Sequence, residues 1–143
     1  EVRLGGGEAV YLDWLFPRAK FLVLVRDPVL AYASYKPRGP WFSRWPDEPV
    51  RGASAFARHW TRLAEELHAF TERRSSLLLR YEDLGDAAPR VAEYTGAPVA
   101  RPQDLTVERG HSAMKGNGTV GVIERRTIER TTRRMREVLG YGR

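Results

Sequence analysis

Nine residues constrain this chain more than any others: Lys20 to Val25 (K-F-L-V-L-V), followed at once by Arg26-Asp27-Pro28. A short continuous apolar run ended by turn residues is what a strand covered on both faces of a parallel sheet requires. Asp27 is a good helix N-cap, and Pro28 fits a first helical position because no N–H is needed there. The local chemistry therefore predicts a strand, a tight junction and a helix from Pro28 to about Lys36.

The rest of the chain repeats this alternation. Glu8 to Phe16 reads as a short helix stopped by Pro17. Residues 37–49, rich in proline, glycine and tryptophan, read as a long loop. From Gly52 to Glu72, Ala53, Phe56, Ala57, Trp60, Leu63, Ala64, Leu67 and Phe70 recur at helical spacing opposite a charged face. Ser76 to Leu79 reads as a second buried strand, and Ala87 to Tyr94 as a short helix ended by Gly96. Glycines break any period between Arg101 and Gly121. A last helix is expected from Val122 to Leu139, with Val122, Ile123, Thr127, Met135, Val138 and Leu139 on its apolar stripe. Strands alternating with helices indicate an α/β fold with a parallel sheet. At 143 residues one domain is expected, spanning residues 1–143. The chain opens Glu1-Val2-Arg3 without a methionine and offers only two convincing strands, so it is expected to be part of a longer domain.

The sequence has 24 basic and 18 acidic residues, giving a net charge of +6, and this favours anionic partners. A GC-rich coding bias would produce the same excess of arginine. Without cysteine, disulfides, thiolate metal sites and cysteine nucleophiles are excluded. His59, His68 and His111 lack metal-ligand spacing, so no metal is expected. His59 and His68 are expected to be ordinary surface or edge residues of the long helix. No run is long enough to span a bilayer, and a cytoplasmic protein is expected.

The first junction is also the most informative chemically. In open parallel sheets, ligands bind beyond the carboxyl ends of the strands, which is where Arg26 stands. Arg26, Leu30 and Ser34 are spaced by four, so a guanidinium, a hydroxyl and a helix N-terminus can surround one phosphate. The alternative is structural: Arg26 pairs with Asp27 or Glu82, and Ser34 only packs.

The stretch from Phe16 to Tyr35 (F-P-R-A-K-F-L-V-L-V-R-D-P-V-L-A-Y-A-S-Y) resembles the 3′-phosphate-binding motif of sulfotransferases. The Phe-Pro-x-Ala-Lys lead-in, the apolar strand, Arg-Asp-Pro and the later serine occur in order and at spacing. Leu77 to Leu84 (L-L-L-R-Y-E-D-L) is similar to the family's later strand and turn. His111 to Gly118 (H-S-A-M-K-G-N-G) looks like its late phosphate-closing loop, with Met114 where that loop usually has arginine.

The resemblance implies a three-layer P-loop-type α/β fold and transfer of a sulfuryl group from 3′-phosphoadenylyl sulfate to a hydroxyl or amine. The product of the donor would be adenosine 3′,5′-bisphosphate. Arg26 and Ser34 would clamp the donor's 3′-phosphate, Tyr81 would lie by its adenine, and Lys115 and Gly116 would close the site. A partly buried tyrosine packing the sheet, and a glycine-rich surface loop with one lysine, are the plain readings of those last two places. Glu82 and Asp83 are expected to organise their turn and to pair with arginines. Trp41, Phe42 and Trp45 would line a small-molecule, glycan or lipid acceptor site, or else staple their loop to the core. The family's phosphosulfate loop and catalytic base would lie upstream of Glu1, leaving the catalytic residues unassigned; Glu1 itself is only a faint candidate base. A Gly5-Gly6-Gly7 phosphate loop is disfavoured, because no Lys-Ser or Lys-Thr follows and Glu8 would repel the anion. Another class of function is a basic module for nucleic acid or polyanions, supported by the arginine run from Arg125 to Arg136. Under the sulfotransferase reading no nucleic-acid partner is expected. Kinase-like phosphoryl transfer on a related fold is a third class.

Overall fold

The computed structural model describes residues 6–38, 50–98 and 118–142. Lys115, Gly116 and the aromatic residues of the 39–49 loop lie outside them. The described elements are α1 (Gly6–Leu15), β1 (Phe21–Val25), α2 (Pro28–Tyr35), α3 (Gly52–Arg73), β2 (Ser76–Arg80), α4 (Ala88–Thr95) and α5 (Val122–Val138), with short 3₁₀ segments at Lys36–Arg38 and Tyr81–Asp86. The protein is mixed α/β, and among the described residues its sheet has two parallel strands. Phe21 stands opposite Ser76 and Val25 opposite Arg80. A parallel pair needs a long crossover, supplied here by residues 26–75.

The chain divides into two compact units, residues 1–25 with 63–107, and residues 26–62 with 108–143. In the first, Ala9 of α1, Val23 of β1 and Phe70 of α3 form a small core, with Phe21 edge-on to Phe70. Leu79, Ala87 and Val91 form a second cluster where β2 passes into α4. Strand β1 buries Val23 and Val25 but leaves Leu22 and Leu24 each nearly half exposed, so one of its faces is open. The expectation of two covered faces holds for one. Helix α4 ends as predicted at Gly96, whose φ of 73° is the left-handed cap that glycine adopts without strain.

In the second unit, Val29, Ala31, Tyr32, Val50, Phe56, Ala57 and Ile128 form one continuous core. The buried stripe of α5 is Ile128, Thr132, Met135 and Leu139. This corrects the expected stripe at its ends, because Val122, Ile123 and Val138 are exposed. The spacing of four, three and four carries the core face, and Thr132 joins it by donating its hydroxyl to the Ile128 carbonyl at 2.8 Å. His59 is a second correction: it is buried, and Arg62 Nη2 donates to its Nδ1 at 3.3 Å, which requires that ring nitrogen to be unprotonated.

Candidate functional site

The junction after β1 is built by three short-range devices. Asp27 Oδ1 accepts the backbone N–H groups of Val29 (2.8 Å) and Leu30 (3.0 Å), satisfying two donors that a helix start leaves without partners. Pro28, fully buried, fills the first helical position. The other carboxylate oxygen of Asp27 lies 3.5 Å from Arg136 Nη2 of α5, an ion pair in which both side chains are mostly buried. Asp27 is therefore a cap braced from α5.

Arg26 precedes that cap. Its carbonyl accepts the indole N–H of Trp60 from α3 at 3.1 Å, which fixes the backbone from which the guanidinium extends. Arg26 and Ser34 are both half-buried. On α2, Val29, Tyr32 and Ala33 face the core, while Leu30, one turn before Ser34, is 43% exposed. The i, i+4 spacing puts half-buried Ser34 on that more open side. Arg26 and Ser34 thus belong to one unit and flank the start and end of one eight-residue helix. Tyr81 belongs to the other unit, half-buried in the 3₁₀ turn after β2. In that turn Arg80 pairs with Asp83 (Nη2 to Oδ2, 2.5 Å), as the arginine-pairing expectation for the acidic turn had it.

Sequence reasoning missed the polar cluster that ties α2 to α5. Tyr32 donates its hydroxyl to Glu124 Oε1 at 2.8 Å, and Lys36 Nζ donates to Glu124 Oε2 at 2.7 Å and to the Thr119 carbonyl at 2.9 Å. Glu124 Oε2 also accepts the N–H of Gly121 at 2.8 Å, the half of a capping box that a glycine cap permits. These donors, led by Lys36, hold the Glu124 carboxyl down at about 2, while burial and the neighbouring carboxylate push the Tyr32 hydroxyl well above its usual range. The one local signal was glutamate three residues after Gly121.

Among the described residues, no cluster of three histidine, aspartate or glutamate side chains is placed to hold a metal ion, and no helix is long and apolar enough to cross a membrane. No protein-family model, curated protein or solved structure matches the chain.

Proposed function

We propose that the chain contributes the donor-binding part of a sulfotransferase that uses 3′-phosphoadenylyl sulfate, on a three-layer P-loop-type fold. The observation that carries this reading is the junction after β1. A strand end, an arginine with a pinned backbone, an aspartate-capped helix and a serine on the open side of that helix stand in sequence over residues 21–35. That arrangement offers a phosphate two groups, arginine a charge-assisted fork and serine a hydroxyl, while the helix start itself is already capped by Asp27. Arg26 and Ser34 would hold the 3′-phosphate, and the resemblance gives Tyr81 the adenine. In the reaction, the sulfuryl group passes to the acceptor oxygen or nitrogen, the acceptor gives up its proton to a base, and adenosine 3′,5′-bisphosphate leaves. Cations offset the charge developing on that leaving phosphate.

Calorimetry with adenosine 3′,5′-bisphosphate and adenosine 5′-monophosphate tests the proposal. The wild-type protein is expected to prefer the 3′-phosphorylated nucleotide. Arg26→Ala is expected to abolish the preference, weakening binding by about ten- to a hundredfold, or roughly 1.5–3 kcal/mol. Equal affinity of both proteins for both nucleotides would overturn the clamp.

A polyanion-binding module is the second reading, favoured by one observation. Arg126, Arg130 and Arg134 follow one another at i, i+4 and i+8 on exposed positions of α5, with no ion pair among the described residues. A steep fall in affinity for DNA or heparin with rising salt, without nucleotide binding, would establish it instead.

A further inference from the structure

The first unit contains a groove at the N-terminal ends of β1 and β2, the strand ends away from Val25. It is an open groove of about 620 Å³ lined by Arg18, Lys20, Arg74 and Arg90, with Glu93 and Tyr94. Four cations against one carboxylate is a strong bias for a single groove, and the four come from the lead to β1, the end of α3 and the first half of α4.

Two of these cations are structural. Lys20 Nζ donates to the carbonyls of Tyr94 (2.7 Å) and Thr95 (3.0 Å), serving the carbonyl groups that the end of α4 leaves without partners. Arg74 Nε lies 2.8 Å from Asp13 Oδ1, and its Nη2 donates to the Pro17 carbonyl at 2.6 Å. Tyr94 is fixed as well, since its hydroxyl donates to the Ser75 carbonyl (2.9 Å) and accepts the Phe21 N–H (3.2 Å). Lys20, Arg74 and Tyr94 therefore form a fixed wall, and the ordering cost of filling the groove falls on its remaining cations.

The other two cations are not used in that way. Arg18 and Arg90 are exposed and form no ion pair among the described residues. Arg90 reaches the Leu78 carbonyl only at 3.5 Å, the outer limit of a hydrogen bond. With Arg74 neutralised by Asp13, the groove keeps Arg18, Lys20 and Arg90 against Glu93, an excess of two positive charges. Two guanidinium forks beside a fixed aromatic ring and Leu77 suit a doubly charged oxyanion carried on a small planar or apolar body.

We propose that this groove binds a phosphate monoester dianion, gripped by Arg18 and Arg90. The assignment is independent of the sulfotransferase reading, because none of its residues belongs to the Arg26 junction. Titration of the ¹⁵N-labelled full chain with phenyl phosphate, and separately with inorganic phosphate, tests it. Saturable shifts of the Ala19, Ser75 and Leu77 amides are expected with phenyl phosphate. The Arg18→Ala/Arg90→Ala double variant should weaken them at least tenfold. Arg26→Ala and the single-charge control Arg133→Ala should leave them unchanged. If inorganic phosphate binds as tightly, the ring and Leu77 take no part and the ester assignment falls. Shifts elsewhere only, or equal loss in the Arg133→Ala control, would overturn the groove as a site.

Discussion

The two units differ in how continuously they bury their apolar surface. The second closes a single core, with Tyr32, Ala57, Ile128 and Thr132 at 1% exposure or less. It ties that core's rim with one carboxylate that accepts hydrogen bonds from Tyr32, Lys36 and Gly121. The first unit has smaller clusters and leaves Val10, Tyr11, Trp14, Leu15 and Phe16 exposed around α1, with Leu22 and Leu24 exposed on β1. Parallel strands are ordinarily buried on both faces, so the open β1 face departs from the usual pattern. The difference lies in core continuity: the second unit closes one core, whereas the first splits its core into smaller clusters and exposes more large apolar side chains.

The sharpest way to break this comparison is a pair of truncations. Ile128→Ala removes a side chain with no exposure and should cost about 2–5 kcal/mol in chemical denaturation. Trp14→Ala removes a larger side chain that is 73% exposed, and should change stability by no more than about 0.5 kcal/mol. Comparable losses would mean that α1 is covered and that the contrast is wrong.

An intermediate effect is expected from acid. The folded Glu124 carboxyl titrates at about 2, well below an unfolded glutamate near 4.3. A group with a depressed folded value stabilises the protein fully above the unfolded value and loses that contribution as pH falls through the folded one. The loss therefore falls between roughly pH 4.5 and 2. With Glu124 28% and Lys36 37% exposed, solvent screening reduces it to about 1–2 kcal/mol. Glu124→Gln should be less stable than wild type at neutral pH and should approach it near pH 2. A constant difference across the range would show that the carboxylate's charge is not what holds α2 to α5.

What was legible in the sequence was local. Asp27 and Pro28 announce a helix start because cap and first turn are decided by neighbouring residues. Gly96 announces a helix end in the same way, and the long helix follows from its 3.6-residue period. The Arg26 and Ser34 spacing is local too, which is why the junction stood out. The cluster of Tyr32, Lys36 and Glu124 joins residues about ninety positions apart, and no local period encodes such a contact. Burial of His59 escaped for a related reason: a histidine on a helix edge reads as surface unless its neighbours across the fold are known. The basic groove likewise exists only once Arg18 and Arg90 are brought together by strand pairing.

The smallest effect on stability gives the most direct reading of the open strand face. Leu22 and Leu24 alternate with buried Val23 and Val25, so changing both leucines to threonine makes the exposed face more polar while introducing β-branched strand formers. Because each leucine is already 47–48% exposed, only about half of its burial is at stake, and stability should shift by about 1 kcal/mol or less per site. Binding of a hydrophobic dye should fall, since dye adsorption follows contiguous exposed apolar surface. A loss of several kcal/mol would mean that the face is already packed. Unchanged dye binding would assign the adsorbing surface to the other exposed apolar residues, those of α1, where Tyr11 stacks on Trp14 at 6.0 Å between ring centres, or Val122 and Ile123 of α5.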